Sequence, residues 1–345
     1  MNKNISMKKT VLGWVAALLV SAAPCALHAQ INPAVMPKSG TLSAQSISRL
    51  LLTDVTRIGA RLVAVGDRGY IVYSDNNGES WQRAEAPENL PLLTGIYFSA
   101  AKVGWAVGHD SVILVSRDEG KTWSKAFAAP DDQKPLMDVA FVDANTGFAV
   151  GAYGAFYDTT DGGKSWVARK IGSATADGKS DDRHFNAIVR VTDSRYLIAG
   201  EAGTLMRSDD AGKTWVSLAS PYKGSFFGGI TAADGSVIVF GLRGRIYRSS
   251  DADLATWVQI PNASLASVMG ATKLADGALV LSGLAGTLLV SRDNGQSFTA
   301  IKTGTTKALA APAASAASGV IVVGESGPRA VVISAAPISA APISK

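Results

Sequence analysis

The sequence predicts an all-β fold, a seven-bladed β-propeller, and three observations carry that expectation. One short phrase recurs six times: Ser74–Trp81 (SDNNGESW), Ser116–Trp123 (SRDEGKTW), Thr159–Trp166 (TTDGGKSW), Ser208–Trp215 (SDDAGKTW), Ser249–Trp257 (SSDADLATW) and Ser291–Phe298 (SRDNGQSF). Its closing aromatics lie 42, 43, 49, 42 and 41 residues apart, a period at which strand-rich repeats stack as propeller blades. A longer frame precedes each phrase, two apolar runs joined by G-x-x-G (G-x-x-S at 108–111), and it occurs a seventh time at Val320–Ser334. Short β-branched runs around such a turn read as a hairpin.

The elements follow in order. Lys3, Lys8 and Lys9 precede an apolar run, Val11–Ala23, and Leu27-His28-Ala29 offers a small residue for cleavage. Residues 1–29 therefore read as a secretory signal peptide, with an exported chain starting at Gln30. Cys25 is the sole cysteine, and Pro24 before it departs from a lipoprotein signal. The exported chain then has neither a disulfide nor a thiol nucleophile. Its net charge falls from +5 to +2, which disfavours nucleic acid and other polyanions as partners.

One propeller domain is expected over 30–334, each blade comprising an inner strand A, the hairpin B–C, and an outer strand D after the phrase. Blade one begins near Leu51–Thr56 and blade seven ends near Ser334 after its strand C. A segment upstream of Leu51, within Val35–Ile47, is the expected source of the missing strand D, since closure of this kind removes exposed sheet edges. The Ala/Pro-rich residues 335–345 read as a flexible tail.

The phrase has a mechanical reading. Its Asp accepts backbone N–H bonds within the C–D turn, its Gly permits a positive φ, and its Trp buries a large ring between blades. The residues assigned to this structural role are Asn76, Trp81, Asp118, Trp123, Asp161, Trp166, Asp210, Trp215, Asp251, Trp257, Asp293 and Phe298. The six copies face outward around a ring, so carbohydrate or metal binding there is disfavoured: the carboxylates do not converge.

These phrases resemble the Asp-box (BNR) repeats of sialidases and other propellers. The fuller frame, with Gly-Trp-Ala-Val-Gly at 104–108 and Gly-Phe-Ala-Val-Gly at 147–151, resembles the photosystem II stability/assembly factor family and its bacterial relatives, over about residues 48–334. The resemblance implies a thylakoid-lumen or periplasmic, non-catalytic protein that helps a membrane protein complex assemble. The photosynthetic role follows only in a host with photosystems.

With the phrases on one face, the G-x-x-G turns and the D–A loops fall on the other, where propeller ligands gather. Asp67, Arg68, Tyr153, Glu201, Arg243 and Arg245 are the candidate partner-binding residues there. Arg243, Arg245 and Arg248 form the densest basic cluster. Arg243 and Arg245 share a side if the strand begins that early, and with Arg68 they would hold an acidic peptide or a carboxylate terminus. A surface pair of Arg248 with an Asp such as Asp251 is the alternative. The long interval Ile171–Asn186 is a candidate contact loop. Phe226-Phe227 offers an aromatic to the channel mouth or, more simply, to the core.

Enzyme readings rank lower. A sialidase would draw on Arg68, Arg243, Tyr153, Glu201 and Asp110, but the Arg-Ile-Pro motif is absent. Asp67, Asp110, Glu201 and Glu325 share a face without being marked as a glycosidase pair. Only His109 and His184 remain after the leader, too few at ligand spacing for a metal site, and no phosphate loop opens a helix. The expectation is a monomeric, non-catalytic scaffold without cofactor or metal, binding a protein partner in a membrane complex. A glycan-binding or glycosidase-like propeller is the alternative.

Overall fold

The computed structural model describes residues 40–333, except 101, 173–181, 263, 317 and 318. The leader with Cys25, the tail 335–345 and most of the insertion within Ile171–Asn186 lie outside the described residues. The described chain forms seven antiparallel sheets. Blades two to six each have four strands in sequence order. Blade four is representative: Phe185–Arg190 (A), Tyr196–Gly200 (B), Leu205–Ser208 (C) and Val216–Ser217 (D).

Strand B is buried along its whole length in every blade. A strand so placed must be apolar on both faces, which is why these segments read as continuous β-branched runs. The core is correspondingly divided among the seams between blades. Seven apolar clusters occupy the seven seams. In six of them the aromatic that closes a phrase packs toward the preceding blade, as Trp215 does edge-on to Phe148 at 5.6 Å. The seam between blades two and three is the most aromatic, with Trp105 stacked on Phe141 at 3.6 Å and Trp166 edge-on to Phe141 at 5.8 Å.

Ring closure is seen in part, since residues 35–39 of the segment expected to complete blade seven lie outside the described residues. Gly40–Thr41, from the segment expected to complete blade seven, instead pairs with Gln82–Arg83 and makes blade one five-stranded. Leu42 explains the path: its N–H donates to the Trp81 carbonyl at 2.9 Å, and its buried side chain joins Trp81 in the seam between blades seven and one. Blade seven, Leu309–Ala314, Gly319–Gly324 and Arg329–Val332, has three strands among the described residues. Closure rests on side-chain packing of Leu62, Ala64 and Val72 against Ile321 and Val323. Polar contacts add to it: Arg57 Nε donates to the Ala314 carbonyl at 2.5 Å, and Gly327 N–H donates to the Leu50 carbonyl at 2.9 Å.

Candidate functional site

Antiparallel order places the six phrases on one face and the B–C turns with the D–A loops on the other. In blades one to six the turn is a two-residue hairpin loop with positive φ at both central residues, the geometry that matches strand twist. The pairs are Arg68-Gly69, Asp110-Ser111, Tyr153-Gly154, Ala202-Gly203, Arg243-Gly244 and Ala285-Gly286. The second residue is held tightly. A Cβ on Gly203 would lie 2.0 Å from the Tyr222 carbonyl oxygen, and one on Gly286 1.9 Å from that of Thr305. Ser111 is the exception, and its hydroxyl donates to the Lys134 carbonyl at 2.8 Å.

The first residue of each pair is exposed and carries a side chain, at φ between 51° and 57°. A left-handed non-glycine residue costs on the order of 1 kcal/mol. Six blades therefore present a side chain at a strained tip where glycine would relax.

The structure sorts the sequence-derived candidates into three sectors. Asp67 and Arg68 stand together in blade one, 3.5 Å apart, with Arg68 76% exposed. Tyr153 of blade three meets the blade-four residue Glu201 through His184, which sequence reading weighed only as a metal ligand. The Tyr153 and His184 rings lie edge-on at 4.9 Å, and the His184 backbone N–H donates to Glu201 Oε2 at 3.2 Å.

Arg243 and Arg245 are exposed in blade five. Strand C there begins at Ile246, so strand alternation does not put these two arginines on one side. Arg243 is a turn tip, and Arg245 leads into the strand. Arg68 lies three blades from Arg243 around the ring and does not extend its patch. Arg248 also departs from the expected pairing. It meets Asp234 Oδ2 at 2.8 Å rather than Asp251, and its Nε donates to the Asn294 carbonyl of blade six at 2.8 Å.

Apolar side chains complete the blade-five sector. Residues 262 and 264–267 border its turn: Asn262 Nδ2 donates to the Gly244 carbonyl at 3.1 Å, and Arg243 N–H donates to Ser267 Oγ at 3.3 Å. Leu265 among them is 79% exposed, and Leu242 and Leu284 on the turns of blades five and six are 36% and 42% exposed. Cationic and apolar groups thus adjoin. Phe226, by contrast, is fully buried in the seam between blades four and five.

Sequence reading also missed two carboxylates on the inner strands. Asp54 accepts from the N–H groups of Val55 and Ile96, the latter on the next blade. Asp138 does the same with Val139 and Ile188. Burial pushes Asp54 up to about 7, with the Asp138 charge adding to the shift and the N–H bonds opposing it. Burial likewise pushes Asp138 up to about 6 against its N–H bonds. The corresponding positions of the other blades hold Gly95, Ala187, Gly228, Gly270 and Ala311. That column of small residues interrupted twice by Asp was the available signal.

On the opposite face the phrases form one repeated network. Asp118 Oδ1 accepts from Ser116 Oγ at 2.8 Å and from the Lys121 and Thr122 N–H groups at 3.1 and 2.9 Å. Its Oδ2 accepts from Thr122 Oγ1 at 2.8 Å, and Trp123 Nε1 donates to the Gly120 carbonyl at 3.0 Å. Asp161, Asp210 and Asp293 accept from the equivalent hydroxyls and N–H groups, and Asn76 Oδ1 takes the place in the first copy. In the fifth copy Leu254 stands at φ 54 where the others have Gly, and its carbonyl receives Trp257 Nε1 at 3.0 Å while Asp251 accepts the Thr256 N–H. Phe298 lacks the indole donor, and Trp166 Nε1 has no acceptor. Trp81 and Trp215 donate as Trp123 does. Among the described residues no cluster of three His, Cys, Asp or Glu is arranged to hold a metal.

This arrangement has counterparts among known proteins. The family described as photosynthesis system II assembly factor YCF48 matches residues 128–280. The chain has a photosystem II assembly factor-like propeller. A solved YCF48 bound to D1 peptide superposes with a TM-score of 0.66 at 18% identity, over 86% of this chain and 98% of that one. YCF48 from Cyanidioschyzon merolae gives 0.65 at 17% identity, over 84% and 97%. A streptogramin B lyase gives 0.69 at 12% identity, over 84% and 95%, so the fold is shared with an enzyme. No curated protein matches the chain in sequence.

Proposed function

We propose that this chain is an exported, monomeric, non-catalytic scaffold that holds an extended segment of a membrane-complex protein on its turn-bearing face. The observation that carries the reading is the sector of blades five and six, where exposed Arg243 and Arg245 adjoin the exposed Leu242, Leu265 and Leu284. Guanidinium groups recognise carboxylates bidentately, and exposed leucines supply apolar anchors beside them. The likeness to a YCF48 solved with a D1 peptide supports a peptide as the bound form. In a host with photosystems, the complex served is photosystem II. Asp67, Arg68, Tyr153 and Glu201 extend the contact around the mouth.

Recovery of one membrane complex from detergent-solubilised membranes, with the exported chain as bait, tests the reading. Arg243→Glu combined with Arg245→Glu should weaken capture by about tenfold or more, as expected for interface arginines, and leave the unfolding midpoint unchanged. Equal capture by the double variant would remove this sector from the function. A blank with both forms would shift attention to a carbohydrate ligand.

A further inference from the structure

The outer strand of blade seven, Arg329–Val332, is paired with Gly319–Gly324 on its inner side only, among the described residues. Every other blade covers the same edge with a strand D. In blade four that strand pairs Ser217 with Met206 and Val216 with Arg207. Counted from the B–C turn through the strand pairs, Arg329 and Ala330 of blade seven hold the places of Met206 and Arg207. Both are exposed.

The seam beneath is nonetheless complete. Ile333 is buried against Val280, Leu288 and Val290 of blade six, on the side where the aromatic of each phrase packs elsewhere. Among the described residues blade seven therefore lacks a strand without lacking core. Blade one shows the opposite state, because Gly40–Thr41 adds to an edge that already has its strand D. An exposed edge with free backbone groups templates pairing with another chain, and addition of an extended segment there is an established recognition mode.

The geometry points to this edge as a docking site for an extended segment of a protein partner, in which an apolar residue is followed three positions later by an acidic one. The entering strand runs antiparallel to Arg329–Val332, as every strand D does to its strand C. Its earlier residue faces Val332, an apolar side chain 77% exposed. Its later residue faces Arg329, and Lys302 and Lys307 are exposed on the neighbouring loop. Arg329 Nη1 lies 3.5 Å from the Thr303 carbonyl of that loop, which brings it to the segment that carries both lysines, Lys307 standing 3.9 Å from Glu325. Opposite charges across a strand pair favour pairing. The site lies on the outer rim, meets the turn-bearing face only at its Arg329 end through the 301–308 loop, and does not depend on the function proposed above.

The test uses the full exported chain and a fluorescent peptide, Thr-Thr-Val-Thr-Thr-Glu-Thr, read by anisotropy. Binding should be saturable. Arg329→Glu should weaken it about fivefold or more, and a peptide with Lys in place of Glu should regain affinity for that variant alone. Hydrogen exchange on peptide addition should slow at residues 329–332 and leave the turns of blades one to five unchanged. Absent binding, or binding indifferent to both charge reversals, would overturn the proposal. So would protection of residues 329–332 in the free chain. If that protection vanished on truncation after Ile333, the chain's own end would be the occupant; if it vanished on dilution, a second copy would be.

Discussion

At the scale of single residues, the carboxylates divide into two classes with opposite pH behaviour. The phrase aspartates are surrounded by donors. Asp161 is held down to about 2, chiefly by the Ser165 hydroxyl and N–H. A carboxyl depressed in the folded state stabilises the fold above its unfolded value near 4 and loses that contribution as pH falls. Asp161→Asn should therefore flatten the fall in urea midpoint between pH 4 and pH 2. Asp54 and Asp138 behave in reverse. Their raised values mean that the folded state retains protons the unfolded chain has released, so stability falls as pH rises from about 4 through 7. Urea titrations across that window should show this slope, and Asp54→Asn with Asp138→Asn should remove most of it; a slope unchanged in the double variant would show that other groups set it. Leu254 illustrates a third balance, since its left-handed backbone is strained while its buried side chain packs in the seam of blades four and five.

At the scale of elements, the phrase and the seam are a single device, with the hydrogen-bonded turn aiming the indole at the preceding blade. Trp123→Ala should cost about 3–5 kcal/mol, as large-to-small core changes do. Asp118→Ala should cost about 1–3 kcal/mol, as N–H groups lose their acceptor. Chemical denaturation of both variants checks the order. The blades were legible because nearly all repeat the same chemistry at the same interval: an apolar strand B, a G-x-x-G turn, with Ser111 for the second glycine in blade two, and, in six blades, an aromatic after a donor-rich loop. Ring closure was not. Gly40 and Thr41 carry no alternating pattern, and their partner Arg83 is reached through Leu42 packing beside Trp81, a contact distant in sequence. The turn tips were legible as positions, but their grouping was not. His184 joins Tyr153 to Glu201 only because it stands, just before strand A of blade four, between two turns, and the strained tip of Arg243 places it differently from a strand residue.

At the scale of the whole molecule, the division of the core among seams governs how the ring responds to damage. Each blade depends on both neighbours, so stability is cooperative around the ring rather than a sum of independent blades. The turn-bearing face varies from blade to blade on this uniform support: Arg68, Asp110, Tyr153, Ala202, Arg243 and Ala285 occupy equivalent strained positions. Such a face can diverge in what it binds while the phrases beneath hold the blades apart, which is consistent with the same fold serving YCF48 and a lyase. Loss of partner capture in the Arg243 and Arg245 variant at unchanged stability would separate the two layers experimentally.

Six of the seams join blades that are also consecutive in the chain, whereas the seam between blades seven and one joins blades from its two ends. Among the described residues no strand is exchanged across it. The ring is thus a split washer, with a fixed place at which it can part without tearing a sheet. Pulled or swollen, it would gape there first, and Leu42 beside Trp81 is the catch that keeps the gap shut.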